Sequence, residues 1–497
     1  MRLLLVNPAT PQSFWSFRWA LEQVLAGKRA LNPPLGLATV AALTPAHWQV
    51  SIADENIAPL PEAPAADVIG IGGMGVQAPR QKELLARYRS AGYRVVAGGS
   101  YASLCPEEYL ELADHVVAGE AEYIWPRFCA DLERGAPGKL YRETGLVRLE
   151  DSPPPRFDLL DLERYATATV QVSRGCPFSC EFCDIIVMFG RKPRYKSVAA
   201  IERELDALRG QGARKLFFVD DNFIGNKARA KETLRFLAGY QQRHGRALRF
   251  GTEASLNLAD DPELLALFHA AGFEWAFLGL ETPDPGTLRE ANKSQNTAGD
   301  MLGAVRRIYA AGIDILAGFI VGFDRDTTAT FAAQRRFIVD SGIIVAMVGL
   351  LTALPKTPLF ERLAREGRLV AGAAHGDNTG GRSNIVPKGM TLAELSAGYR
   401  QIWRELLADS AIAQRIRNKL ARFGVPPDVR RETLGEATRI VWRLLTRGIA
   451  PGGPLRAWHF ARSLPLRRPQ LWPLAVNDWI AALALRDYFM RHAGQPA

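Results

Sequence analysis

Three cysteines, Cys176, Cys180 and Cys183, form a C-x3-C-x2-C array in the stretch Ser173–Cys183, just after the strand-like run Thr167–Val172. Thiolate is a soft ligand, and closely spaced cysteines in a non-secreted chain point to metal rather than disulfide. Three thiolates hold three irons of a [4Fe–4S] cube and leave the fourth iron open to a small molecule and to one-electron chemistry. Gly175 and Pro177 supply the turn that wraps such a cluster, and Phe182 can shield it from water. The same residues have two plainer readings, a structural zinc site short of a ligand and three unrelated core cysteines. Cys105 and Cys129 lie far upstream, and no histidine is close enough in sequence to complete a zinc site of three cysteines and one histidine. The cluster is the reading adopted.

The array, with its preceding strand and following helical region, resembles the signature of the radical S-adenosylmethionine (SAM) enzymes. The resemblance implies that Cys176, Cys180 and Cys183 ligate the cluster and that SAM fills the fourth iron through its amino and carboxylate groups. Reductive cleavage of SAM then yields a 5′-deoxyadenosyl radical, and an external donor such as flavodoxin or ferredoxin supplies the electron. Phe182 occupies the family's aromatic position between the last two ligands.

Such a loop needs a scaffold, and the chain is long enough to supply one. At 497 residues, with 47% hydrophobic and 23% charged residues, it should hold two or three domains with a sizeable core. Of its net charge of +10, +9 falls between Gln401 and the end, where 16 Lys and Arg face 7 Asp and Glu. The rest is nearly neutral, which argues against general nucleic-acid binding. Met1–Asn7 is too short an apolar run for a signal peptide and reads as a buried strand. No stretch approaches the ~20 apolar residues of a spanning helix. A cytoplasmic location is expected, with peripheral contact at the inner face of the membrane left open.

Residues 1–135 alternate short apolar strands, Arg2–Val6, Gln49–Ala53, Val68–Ile71, Arg94–Ala97 and His115–Val117, with helical patterns such as Pro34–Leu43 and Gln81–Ser90. This predicts an α/β fold with a doubly wound, Rossmann-like parallel sheet covered on both faces. The strands end in small or polar residues, among them Asn7, Asn56, Gly73, Gly98, Gly99 and Gly119. Ligands of open α/β sheets bind outside the carboxyl ends of the strands. Any one of these glycines could simply make a tight turn; five strand ends of this kind together predict a site.

The arrangement resembles the cobalamin-binding domain that precedes the barrel in one large radical SAM subfamily. Pro33–Leu37, Asp54–Asn56, Gly98–Tyr101 and Ala118–Glu122 carry the likeness. The D-x-H-x-x-G motif, whose histidine ligates cobalt in many cobalamin enzymes, is absent, and Asn7–Arg18 contains no histidine. His47 and His115 read as ordinary surface or strand residues. The expectation is cobalamin held without a protein histidine ligand.

Residues 136–165 read as a proline-rich, semi-rigid connector centred on Ser152–Pro155. Within 166–370, strand-like runs then recur roughly every 30 residues: Thr167–Val172, Leu216–Val219, Leu248–Thr252, Trp275–Leu280, Ile315–Val321 and Ile344–Leu351. Helical runs between them predict a parallel sheet curling towards a barrel, and the resemblance implies a partial (β/α)6 barrel. The resemblance also places SAM contacts at the strand ends. On it, Asp221 and Asn222 meet the amino group, Glu281 makes a SAM or cluster-side contact, and Glu253 serves either role. Each could instead cap the following helix. Leu354–Leu359 reads as a turn and cap into a helix over Leu359–Glu366.

The last part, 371–497, is a mostly helical, basic extension. Gly372–Gly389 is rich in Gly, Asn and Ser and reads either as a loop across the barrel mouth or as plain surface. Trp403, Trp442, Trp458, Trp472 and Trp479 follow on Arg-bearing amphipathic helices. Such helices can lie on an anionic membrane; a helical cap with a solvated basic rim is the favoured reading, since no helix is sustained enough for an anchor. The extension diffusely resembles that of the cobalamin-type proteins that include the hopanoid C-2 methylases.

Together these readings predict a cobalamin-dependent radical SAM methyltransferase acting on an unactivated carbon of a small molecule, either a hopanoid-like lipid or a natural product. The alternatives are a non-methylating cyclisation or rearrangement with the same cofactors, and a non-catalytic iron–sulfur protein. A methylthiotransferase would want three more cluster cysteines in the N-terminal domain, where only Cys105 and Cys129 stand.

Overall fold

The computed structural model describes residues 1–143, 145–297, 299–370, 381–430 and 432–492. Its first strand, β1 (Arg2–Asn7), shows how the N-terminal third is built. Successive strand residues point to opposite faces. Leu4 and Val6 accordingly join one core cluster, and Leu3 and Leu5 join another on the other face. A strand covered on both sides must be apolar throughout, which is why β1 reads as a continuous run. Around it lie β2 (Gln49–Asp54), β3 (Val68–Gly72), β4 (Arg94–Gly98) and β5 (His115–Ala118), all parallel, in the order β2-β1-β3-β4-β5.

A sixth strand, β6 (Leu140–Arg142), pairs in parallel with β5. It belongs to the stretch expected to be a connector. Three residues with a single buried side chain, Tyr141, leave no readable periodicity. The rest of that stretch is packed rather than extended free: Val147, Leu149, Phe157 and Tyr165 are buried. Tyr165 donates from its hydroxyl to Asp54 at 2.8 Å, tying the connector to the end of β2.

The second sheet begins with β7 (Ala168–Val170). The cysteine loop follows, bracketed by a short antiparallel ribbon of β8 (Ser173–Arg174) and β9 (Arg194–Tyr195). Then come β10 (Lys215–Phe218), β11 (Arg249–Ala254), β12 (Phe273–Glu281), β13 (Asp314–Val321) and β14 (Ala346–Leu350). All six strands of this sheet are parallel, in the order β14-β13-β12-β11-β10-β7, so β7 and β14 are edges and the barrel stays open. Helices Val198–Gly210, Lys227–Arg243 and Pro262–Ala271 connect the early strands. Ser197, Asn226 and Asp261 cap them by accepting first-turn N–H groups. Strand β12 divides inside from outside: Ala276, Leu278 and Leu280 pack into the main core, while Phe277, Gly279 and Glu281 line the lumen.

Thr357 caps the helix Pro358–Arg365, as the turn-and-cap reading expected. Residues 371–380, which include the first half of the expected mouth loop, lie outside the described residues. Further on, Asn384 bonds both the N–H and the carbonyl of Ala353, pinning its segment beyond the end of β14. Helices Leu392–Leu406 and Asp409–Leu420 pack on the barrel, and Trp472–His492 packs on the second of them. Trp403 donates its indole N–H to the Val348 carbonyl at 3.1 Å. The buried Lys419 ammonium pairs with Asp314 at 2.9 Å and Asp478 at 2.5 Å, joining the start of β13 to two of these helices.

Candidate functional site between the two sheets

The cysteine loop is shaped from the end of β10. The Asp220 carboxylate accepts from the N–H groups of Val172, at 3.1 Å, and Ser173. Asp221 accepts from the Gly175 N–H at 2.7 Å. Asp221, expected to meet a ligand amino group, therefore has one oxygen committed to the backbone of the loop. Asn222 is turned the other way, its amide 3.9 Å from Cys176 Sγ and 3.1 Å from Ser255 Oγ. On the far side the Gln295 amide reaches Cys180 Sγ at 3.5 Å. Glu181, between two of the cysteines, accepts from Arg362 at 2.9 Å. The donor set is three thiols attended by N–H groups, which is the environment that sulfur ligands of an iron–sulfur cluster take. Among the described residues, no three or more His, Cys, Asp or Glu side chains gather as for a single metal ion.

Glu281 closes the opposite wall. A register shift separates it from Gly279, and its φ is +62°, a left-handed conformation rare for a side chain of this size. The Gln334 amide donates to its carbonyl at 2.9 Å and helps to hold it there. Its carboxylate pairs with Lys293 at 2.7 Å, and the Lys293 ammonium stands 5.8 Å from the Phe182 ring centre. Burial pulls the Lys293 ammonium down, but Glu281 and the neighbouring Cys180 and Cys183 more than offset this and hold it above the ordinary lysine range. Across the lumen, burial and then the charges of Asp221 and Asp220 push Glu253 up to about 8. Burial likewise raises Asp221 to about 6, against the Gly175 N–H that lowers it. Burial and the two neighbouring carboxylates thus favour the protonated form of Glu253. Lys293 and Gln295 were missed from sequence; a polar run after a short helix is no signal on its own.

Between the carboxyl ends of the first sheet and the β7–β10 side of the barrel lies a cavity of about 1940 Å³. Ordinary small-molecule pockets measure roughly 300–1,000 Å³, so this one has room for a large ligand. Asn7, Asn56, Gly73, Gly99 and Gly119, singled out from the strand ends, line it. Gly98 does not: it ends β4, and its carbonyl is taken by Gly73 and Gln81. The glycines also answer to the protein itself. Gly99 has φ +94°, and a Cβ there would lie 2.4 Å from the Gly73 nitrogen. At Gly119 a Cβ would lie 2.6 Å from Glu143 Cβ. Asn56 works internally too, bonding Pro8, Asp54 and Thr10. On the barrel wall the buried Thr169 hydroxyl has no hydrogen-bond partner among the described residues, leaving a polar group for a ligand. Neither histidine raised from sequence is at this wall: His47 pairs with Glu133, and His115 is buried in β5 against the Gly138 carbonyl.

Trp15 borders both spaces. It lines the large cavity and also the barrel lumen, where its ring centre is 5.1 Å from that of Phe277. The two sheets are clamped beside the cavity. Arg174, inside the cysteine motif, pairs with Glu120 at 2.8 Å and Glu122 at 2.7 Å, and Arg194 pairs with Glu120 at 2.8 Å.

Comparison with known proteins gives three matches to family sequence models. Residues 24–128 match the B12 binding domain, 170–338 the radical SAM superfamily, and 357–495 a domain of unknown function, DUF4070. An uncharacterized methyltransferase of Synechocystis sp. is 36% identical over 504 residues, covering 99% of this chain and 92% of that protein. The hopanoid C-2 methylase of Rhodopseudomonas palustris is 36% identical over 384 residues, covering 76% of this chain and 72% of that protein. The solved structure of the cobalamin-dependent S-adenosylmethionine radical enzyme OxsB, with aqua-cobalamin and S-adenosylmethionine bound, matches 99% of this chain and 80% of its own at a TM-score of 0.62 and 16% identity, a likeness of fold.

Proposed function

We propose, on the premise that the chain belongs to the radical SAM superfamily and to its cobalamin-dependent methyltransferases, that it methylates an unactivated carbon of an apolar, polycyclic, hopanoid-like lipid. Its cofactors are a [4Fe–4S] cluster, SAM and cobalamin. When bound, the cluster supplies the electron that cleaves SAM, and the corrin carries the methyl group. The net reaction consumes two SAM: one leaves as methionine and 5′-deoxyadenosine carrying the substrate hydrogen, the other as S-adenosylhomocysteine after giving up its methyl. The two electrons required come from an external donor such as flavodoxin or ferredoxin.

The observation that carries this reading is Trp15, which belongs at once to the cavity wall and to the lumen wall. Two cofactor spaces meeting across one aromatic side chain let a substrate carbon reach both. The lumen side is lined by Phe14, Phe277, Phe319 and Met347, a surface for an apolar substrate. In this reading Cys176, Cys180 and Cys183 ligate the cluster, and Asn222 and Glu253 face the polar end of SAM. Glu281 acts on the cluster side through Lys293, and Asp221 is a positioning residue for the loop. Asn7, Gly73, Gly99 and Gly119 form the corrin wall, with Asn56 bracing it. The chain divides as 1–135 for the corrin, 136–165 as connector, 166–370 as barrel and 371–497 as helical extension, and it works in the cytoplasm.

The test is anaerobic reconstitution with iron, sulfide and cobalamin, followed by SAM, a reductant and a hopanoid. A hopanoid carrying one added methyl, formed with 5′-deoxyadenosine, supports the reading. Deoxyadenosine with an unmethylated hopanoid would remove the lipid substrate and leave a natural product or another radical reaction.

A further inference from the structure

The C-terminal helices carry a surface that neither the barrel nor the cavity uses. Their tryptophans divide into two groups: Trp403 and Trp479 are buried, while Trp442, Trp458 and Trp472 stand in solvent. Among the described residues, 7 of the 18 exposed large apolar side chains fall between 434 and 472, under a tenth of the chain. They sit mainly on a helical hairpin. Its first arm, Leu434–Arg443, has no buried residue, and its second, Gly453–Ser463, buries only Ser463.

Each arm has an inner and an outer side. Arg443 and Arg447 turn inward and donate to the carbonyls of Val24 and Gln23, at 3.3 and 3.1 Å. By helical spacing Leu434, Trp442 and Leu445 lie on the other side. On the second arm Arg456 turns inward to Asp409 and the Gly448 carbonyl. Leu455, Trp458 and Arg462, at i, i+3 and i+7, face out, with the Arg462 guanidinium 4.3 Å from the Trp458 ring centre. Residues 434–472 contain seven arginines and one acidic residue, Glu436.

We propose that this hairpin docks on the surface of an anionic lipid bilayer. Arg443, Arg447, Arg456 and Arg468 are spent on groups of the protein itself, but the exposed Arg439, Arg462 and Arg467 against one glutamate still select an anionic surface, and outward Trp and Leu select one with an apolar interior immediately beneath; a bilayer offers both. Tryptophan settles at the headgroup boundary, and arginine is drawn to lipid phosphates. The hairpin lies on the membrane rather than across it, since no helix among the described residues is long and apolar enough to span. The proposal is independent of which carbon is methylated, because its test reads lipid binding alone.

The experiment is co-sedimentation of the whole reconstituted protein with vesicles of phosphatidylglycerol and phosphatidylcholine at about 1:2, and with phosphatidylcholine alone. Binding is expected to the anionic vesicles, about tenfold weaker when salt is raised to roughly 0.5 M. The double variant Trp442→Ser/Trp458→Ser, its melting temperature, iron and corrin content unchanged, should lose about tenfold or more in partitioning. Arg439→Glu/Arg467→Glu should remove the salt-sensitive part. The proposal is overturned by failure to bind either vesicle, by binding that ignores both pairs of substitutions, or by equal, salt-insensitive binding to phosphatidylcholine. A lipid-free dimer that the tryptophan substitutions dissociate would overturn it in favour of a second copy of the chain.

Discussion

Arg174, two residues before the first cluster cysteine, pairs with Glu120, which follows the last residues of β5 in the other sheet; the two meet at 2.8 Å with the Glu120 side chain only 5% exposed. Glu122 takes the other arm of the guanidinium at 2.7 Å. One side chain thus joins the cysteine loop to the wall of the large cavity. A planar fork shared by two carboxylates gives direction as well as attraction. Arg174→Met would leave the buried Glu122 without its cation and Glu120 with Arg194 alone. The expected cost is about 3–5 kcal/mol, read by denaturant unfolding. Arg174→Lys, which keeps the charge and loses the fork, should fall between the two. A loss under about 1 kcal/mol for the Met variant would mean that the pairs are solvent-screened and the clamp unimportant.

Single substitutions Cys176→Ser, Cys180→Ser and Cys183→Ser should each abolish bound iron and 5′-deoxyadenosine formation. Corrin retained through gel filtration should be unchanged, because none of the three cysteines lines the cavity. Iron kept at full occupancy in any of the three would remove that cysteine from the ligand set.

Gly99→Ala tests the cavity wall. The position has φ +94°, and the new Cβ would lie 2.4 Å from backbone nitrogen of Gly73. Strain of this kind costs about 1–3 kcal/mol and must move one of the two loops. Retained corrin should fall while iron content holds. An unaltered corrin content would show that this wall does not touch the ligand.

Trp15→Ala opens the partition between the cavity and the lumen. Radical generation should persist, since none of the cluster-loop contacts involves this residue, while methyl transfer falls by about 10–100-fold through lost positioning. The readout is 5′-deoxyadenosine formed per methyl transferred, which should rise. A fall in both products together would point to misfolding instead.

The pH dependence of folding should report Glu432, which pairs with Lys215 at 2.6 Å and Arg249 at 2.5 Å. Burial raises this carboxyl, but the two cations more than offset it and bring it from 4.5 down to about 2. Because the folded value is depressed, the stabilisation is complete above about pH 5 and is lost as pH falls from about 4.5 towards 2. The gap in unfolding midpoint between the native protein and Glu432→Gln should therefore be flat near neutrality and close on acidification. A gap that widened below pH 4 would reverse the sign of the argument.

Local pattern was enough for much of this protein. Three cysteines within eight residues define a ligand loop because the loop is itself local, and their neighbours Gly175 and Pro177 shape it. The strands of both sheets were legible because a parallel strand buried on two faces must be apolar at every position, as Leu3–Val6 is. Asn7, Gly73, Gly99 and Gly119 were legible as a wall because ligands meet parallel sheets at their carboxyl ends. The strand β6 was not, since one buried tyrosine in three residues has no period.

What only the tertiary structure decided is which of these pieces meet. Glu120 and Arg174 are 54 residues apart, and neither carries any mark of the other. Lys293 and Gln295 reach the cluster loop only because the chain returns after β12, and Asp221 braces Gly175 because the end of β10 lies beside that loop. The exposed Trp442 and the buried Trp403 look alike in sequence, both on Arg-bearing amphipathic helices. Periodicity records that a residue has an apolar or a polar side to satisfy, whereas the partner that satisfies it is set by how distant segments pack, and that information is not local.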